Sequence, residues 1–201
     1  IQKEKRPCQA CAVNILKPAE IDQAMGLVRR QYGKMDVAIN CVGINIRKPS
    51  LSVTEKDWDT VVDINLKGTF LFAQSAARAF IRQRRKGKII TIASLLSFFG
   101  MEERAAYGAS KTGVLGLVRA LAVEWAQYNI NVNAIAPTFI ATAINRETLV
   151  GKFKERLVGR TPFRRLGKPE DIVGTVIFLA SNASDFITGQ TIPIDGGWLS
   201  G

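Results

Sequence analysis

Tyr107 and Lys111, four residues apart in Tyr-Gly-Ala-Ser-Lys, are the first residues in this chain whose types and spacing suit catalysis. On a helix, neighbours at i and i+4 share a face with Cβ atoms about 5–6 Å apart. A phenol with a pKa of about 10 is a poor base at neutral pH, and an ammonium beside it favours the phenolate. Ser94 lies upstream, directly after the strand-like run Lys-Ile-Ile-Thr-Ile-Ala at 88–93. A hydroxyl there can hydrogen-bond a substrate oxygen while the tyrosine moves a proton and a cofactor carries hydride. Taken alone, Y-x-x-x-K is weak, since most such pairs are exposed helix neighbours.

The rest of the composition narrows the chemistry. The 201 residues include no histidine, which excludes His-ligated zinc, a Ser-His-Asp triad and a Cys-His nucleophile. No metal site is expected. Cys8 and Cys11 form a C-x-x-C, but neither a second pair nor a histidine completes a zinc site, and Gln9 to Val13 reads as a buried strand. With Cys41 the cysteine count is odd, which suits a reducing, cytoplasmic setting. The net charge is +11. Its densest run, 82–88, falls at a predicted helix end, where cations complement the dipole and Gly87 is the expected cap. No nucleic-acid-binding motif accompanies it, so no nucleic-acid partner is expected. No apolar run reaches the roughly 18 residues of a membrane helix, so no membrane partner is expected either.

These residues must be positioned by elements that alternate strand and helix. The pattern predicts a strand at 9–15, a helix at 18–32 closed by Gly33, and a strand at 35–42. Ser52 and Glu55 resemble a capping box before one long helix, about 55–85. Strands at 88–93, 131–136 and 190–195 follow, separated by helices at about 104–128 and from Pro169 to 180. This is an α/β chain with a doubly wound parallel sheet, and ligands bind at the carboxyl ends of its strands.

In that context the chain resembles the short-chain dehydrogenase/reductase family over essentially its whole length. The matching pieces lie in order: Asn-Cys-Val-Gly at 40–43, Asn65, Ser94, Tyr107, Lys111, Asn-Val-Asn-Ala-Ile-Ala-Pro at 131–137, Ile140, Thr142 and Asp-Gly-Gly at 195–197. The resemblance implies an enzyme that interconverts a secondary alcohol and a ketone with NAD or NADP, NAD being the first expectation. Tyr107 would be the general acid/base, and Ser94 would orient the carbonyl. Lys111 would lower the tyrosine pKa and hold the nicotinamide ribose, while Asn65 would hold a relay water. Cofactor contacts carried over are Asn14, Ile15, Asn40, Gly43, Tyr107, Lys111, Pro137, Ile140 and Thr142. Three residues depart from the family pattern, namely Val42 for alanine, Thr138 for glycine and Asn14 for an acidic residue.

The family begins with a strand, a Gly-rich turn and a helix that cradles the pyrophosphate. Nothing of that kind precedes Gln9. The expectation is therefore a single Rossmann-like domain over 1–201, incomplete at its N-terminus and belonging to a longer chain. In the family's sheet order, strand 9–15 then has no neighbour and strand 35–42 presents an open edge.

The runs at 90–98 and 195–198 most resemble members acting on sugar acids, the gluconate and deoxygluconate dehydrogenases. The alternatives are a 3-oxoacyl carrier-protein reductase and a non-catalytic binding relative. Arg104 and Arg146 are candidate partners for a substrate carboxylate. Ala109, Gly113, Gly116 and Ala120 form a small-residue stripe that would let another helix approach. By resemblance a homodimer or homotetramer is expected, with Trp198-Leu199 as a second contact.

Overall fold

A computed structural model describes residues 7–142 and 149–201. Four strands, β1 (Val37–Asn40), β2 (Gly87–Ile92), β3 (Ile130–Pro137) and β4 (Thr191–Ile194), form one parallel sheet in the order β1-β2-β3-β4. Between them run helices α1 (Pro18–Tyr32), α2 (Glu55–Val62), α3 (Gly68–Gln83), α4 (Ala105–Trp125), α5 (Gly151–Arg160) and α6 (Glu170–Ala180). Side chains alternate along each strand, so the sheet feeds two cores. Ala38, Ile89, Val132 and Ala134 point into the core shared with α1, α3 and α4, around the fully buried Phe80. Ile90 and Ile135 meet Leu179 of α6 on the opposite face. Helices thus cover both faces, the doubly wound arrangement expected.

Most predicted boundaries hold within a residue or three, and α1 ends at Gly33 in a left-handed C-cap as expected. Five expectations change. Residues 9–14 are not a strand: extended backbone needs a neighbour for its ladder, and the sheet ends at β1. Cys8 and Cys11 are consequently exposed rather than buried. Helix α2 is capped not by Ser52 and Glu55 but by a capping box of Thr54 and Asp57, with Ser50–Ser52 forming a short 3-10 turn instead. The long helix is interrupted, because Asp63–Lys67 is one turn of π-helix between α2 and α3. Finally, α3 ends at Arg84, whose φ of 52° is left-handed, and Gly87 opens β2. A Cβ on Gly87 would stand 2.3 Å from the Phe80 ring, so close packing explains that glycine. Helix α5 was not among the expected elements.

Candidate active site

Ser94 follows β2, and its Oγ accepts from Leu96 N at 3.2 Å, opening the 3-10 turn Leu95–Ser97. The loop then leads into α4, where Arg104 is the N-cap residue and its carbonyl accepts from Gly108 N at 2.7 Å. Glu103, just before it, has a φ of 59°. That left-handed conformation is uncommon outside glycine and turns the chain sharply into the helix. Tyr107 lies on the first turn of α4, mostly shielded, with the Ser94 hydroxyl near enough to bear on its ionisation.

Both hydroxyls border a cavity of about 340 Å³, which Arg47, Arg104, Pro137, Ile140 and Thr142 also line. Phe153 of α5 and Leu149 close its far side. The sequence singled out Ser94, Arg104, Tyr107, Pro137, Ile140 and Thr142 of this wall, but gave no reason to place Arg47 or Phe153 on it. Arg146 lies outside the described residues. Thr138 also lines the cavity, and it is not among the residues with positive φ, so replacing glycine there carries no backbone strain. Its Oγ1 is buried with no hydrogen-bond partner among the described residues.

Lys111 forms a second knot one helical turn on from Tyr107. It is 3% exposed, and its Nζ donates to Ile92 O at 2.6 Å and stands 5.9 Å from the Tyr107 ring centroid. Burial lowers its pKa from 10.5 to about 8. A Cβ on Gly43 would be 3.3 Å from both Lys111 Nζ and Asn65 Oδ1, so the bare glycine keeps the space beside the ammonium open. Asn65, fully buried in the π-turn, donates to Ile44 O at 2.9 Å and to Ser110 Oγ at 3.0 Å, and accepts from Ile44 N at 2.8 Å. Its side chain therefore ties the 43–44 loop to α4.

The phenol differs from expectation. Burial pushes the Tyr107 pKa above 10, against the lowering effects of the Ser94 hydrogen bond and the Arg104 guanidinium. Those two groups, rather than Lys111, are what favour the phenolate here. An unpartnered desolvation cost outweighs them.

Among the cofactor candidates, Asn40 Nδ2 donates to Thr69 Oγ1 at 3.0 Å and its Oδ1 accepts from Val42 N at 3.0 Å, shaping the turn that leads to Gly43. The Asn14 side chain caps its own turn, accepting from Leu16 N, and the Ile15 side chain packs in the core against Gly68. Neither reaches the cavity or the Lys111 knot. Trp198 is likewise not a surface contact: it is 2% exposed, with its ring 5.8 Å from Phe99 and 5.6 Å from Phe139. Arg160 covers that ring at 4.8 Å.

Comparison with known proteins agrees with this fold. The family described as enoyl-(acyl carrier protein) reductase matches residues 2–199. The 2-dehydro-3-deoxy-D-gluconate 5-dehydrogenase of Escherichia coli K12 is 40% identical, covering 96% of this chain and 86% of its own. A 3-oxoacyl-(acyl-carrier-protein) reductase of Thermotoga maritima is 39% identical, covering 92% of this chain and 74% of its own. The crystal structure of a gluconate 5-dehydrogenase from Burkholderia cenocepacia, in complex with NADP and tartrate, superposes with a TM-score of 0.93. It is 34% identical and covers 100% of this chain and 78% of its own. With a parallel doubly wound sheet, the ordered residues from Asn40 to Gly197, and relatives of this identity and coverage, the chain belongs to the short-chain dehydrogenase/reductase family.

Proposed function

We propose that this protein interconverts a secondary alcohol and a ketone on a sugar acid or related polyol, with NAD or NADP as the hydride partner and Tyr107 as general acid/base. The observation that carries this reading is the pair of neighbouring hydroxyls, Ser94 and Tyr107, on one cavity wall with the buried Lys111 one turn away. The sugar-acid relatives support the substrate class, and the reductase relative keeps an acyl thioester as the second candidate. Residues 1–201 would belong to a single nucleotide-binding domain.

The Lys111 ammonium supports a nucleotide next to it. An ammonium carries three donors. Lys111 uses one on Ile92 O, and no other acceptor is found for it among the described residues. A ribose diol supplies two, and Gly43 leaves room for it. Ile140 and Thr142 would meet the nicotinamide side from the cavity wall. The bound nicotinamide would supply or accept the hydride.

The protein's own residues handle the proton. In ketone reduction Tyr107 enters as the neutral phenol, which its raised pKa guarantees at neutral pH, and gives its proton to the developing alkoxide. Ser94 donates to the same oxygen and fixes its position. In alcohol oxidation the proton travels the other way, from substrate hydroxyl to phenolate, and the Arg104 cation helps that form. Asn65 holds the loop and α4 in register and is a positioning residue.

Nicotinamide absorbance at 340 nm, read with a gluconate-type acid and separately with a 3-oxoacyl thioester, is the test. Turnover of the acid is expected; turnover of the thioester alone would reverse the order, and turnover of neither would leave the non-catalytic alternative.

A further inference from the structure

Arg104 is an anomaly in the cavity wall. It is 9% exposed, yet no carboxylate lies within ion-pair distance of it among the described residues. Its guanidinium makes only a weak contact among the described residues, Nη1 donating to the backbone oxygen of Glu103 at 3.5 Å. The Glu103 carboxylate is turned to Arg47 instead, with Oε2 3.3 Å from Nη2. Arg47 in turn sits over the Phe153 ring, 5.6 Å from its centroid, on the same cavity. Two guanidinium groups thus border one cavity with one exposed carboxylate near them among the described residues; burial and then Arg47 disfavour the Arg104 charge, and Glu103 and Tyr107 offset this only in part.

Buried charges in folded proteins are paired, because an isolated ion loses its hydration without recompense. Arginine keeps its proton in all ordinary conditions, so Arg104 cannot escape by neutralising. Among the described residues no such anion is found, which leaves the site open to one from outside. Its position is constrained: Arg104 is three residues before Tyr107 on the same helix start, so the anion sits on the wall that also carries the reacting hydroxyls. A planar guanidinium matches a carboxylate with two parallel N–H···O bonds.

We infer that Arg104, assisted by Arg47, binds a carboxylate of the substrate and thereby makes the enzyme select hydroxy and keto acids over neutral polyols of the same length. This deepens the oxidoreductase reading above and rests on it for the turnover arm of the test. Arg104 reads the anionic group next to the reaction centre. Arg47, more exposed and already sharing Glu103, is the outer member and draws the anion in.

The test compares wild type with Arg104→Gln, Arg104→Lys and Arg47→Gln. The first arm measures kcat/KM for a hexonate and for the matching hexitol and takes their ratio, so that a general loss of activity cancels. Arg104→Gln is expected to lower the acid-to-polyol ratio about 10- to 100-fold, as loss of a charge-assisted hydrogen bond implies, mainly through KM. Arg47→Gln should lower it less, and Arg104→Lys should restore part of it. The second arm measures binding of malonate by calorimetry, with no turnover required. Malonate should bind wild type and be weakened at least tenfold in Arg104→Gln. An unchanged ratio, a fall that lysine does not partly restore, or malonate binding indifferent to Arg104 would each overturn the inference. If wild type turned over neither compound yet bound malonate through Arg104, the oxidoreductase reading would fall and the carboxylate site would stand.

Discussion

Asn65 Nδ2 bonds Ser110 Oγ at 3.0 Å, and Ser110 immediately precedes Lys111 on α4. The π-turn, the 43–44 loop and the lysine are therefore one mechanical unit. Asn65→Ala would strip a partner from Ile44 N, Ile44 O and Ser110 Oγ together. We expect a loss of about 2–4 kcal/mol in urea unfolding, from several buried groups left unpaired, and a fall in turnover larger than that in substrate affinity. A variant as stable as wild type would show that water replaces all three partners.

Tyr107→Phe keeps the ring and its packing while deleting the proton that moves. Turnover should fall at least 100-fold, the lower end of the roughly 10²–10⁴ range for general acid–base catalysis, with melting temperature nearly unchanged. Ser94→Ala should lower turnover and leave nucleotide binding as it is, since Ser94 faces the cavity and not Lys111. Wild-type turnover in Tyr107→Phe would take the proton transfer away from Tyr107.

Lys111 sets a stability that depends on pH. An unfolded lysine keeps a pKa near 10.5, whereas burial holds Lys111 at about 8. Between those values the unfolded chain binds the extra proton, so stability rises with pH through that window and the penalty is complete below it. The nucleotide-free Lys111→Met variant should therefore exceed wild type by about 1–3 kcal/mol at neutral pH, discounting the lost bond to Ile92 O. The difference should close as pH approaches 10.5, while turnover is lost throughout. Unfolding curves at pH 7 and pH 10 decide it; a variant weaker than wild type at both values would refute the buried-cation account.

Two glycines separate packing from freedom. Gly87→Ala places a methyl against the fully buried Phe80 ring and should cost about 1–3 kcal/mol or more. Gly116, in mid-helix with open space where its Cβ would be, should tolerate alanine with a gain of up to about 1 kcal/mol. Light scattering on Gly116→Ala adds a reading of association. A Cβ on Gly113 of the same stripe would stand 2.8 Å from Leu66 of its own chain, leaving Ala109, Gly116 and Ala120 as the exposed part. A Gly116→Ala variant that lost stability and dissociated would show the stripe buried between copies.

The sequence made the sheet and the Tyr107–Lys111 pair legible because both are local. A strand announces itself by its apolar run and Tyr107–Lys111 by helical spacing. The π-turn was not legible, since Asp63–Lys67 contains ordinary helix formers and only a one-residue slip in the apolar period betrays it. Residues 9–14 carried a strand's composition without a strand's neighbour. Arg47 was missed for a different reason: it comes from the loop after β1, and only the fold brings it to the cavity that α4 borders. The direction of the Tyr107 shift depends on burial, which spacing alone does not report.

The π-turn also works as a phase shifter. An α-helix advances about 100° per residue, so one extra residue in a turn rotates everything after it by that amount relative to everything before. Helix α2 presents Val61 to the interior in one frame, and α3 presents Ala73, Ala76 and Phe80 in another. A single-residue deletion within 63–67 would leave the composition of both helices intact and let one unbroken α-helix form. It would also swing either Asn65 or the Phe80 face out of the interior, so the helix could satisfy the site or the core but no longer both.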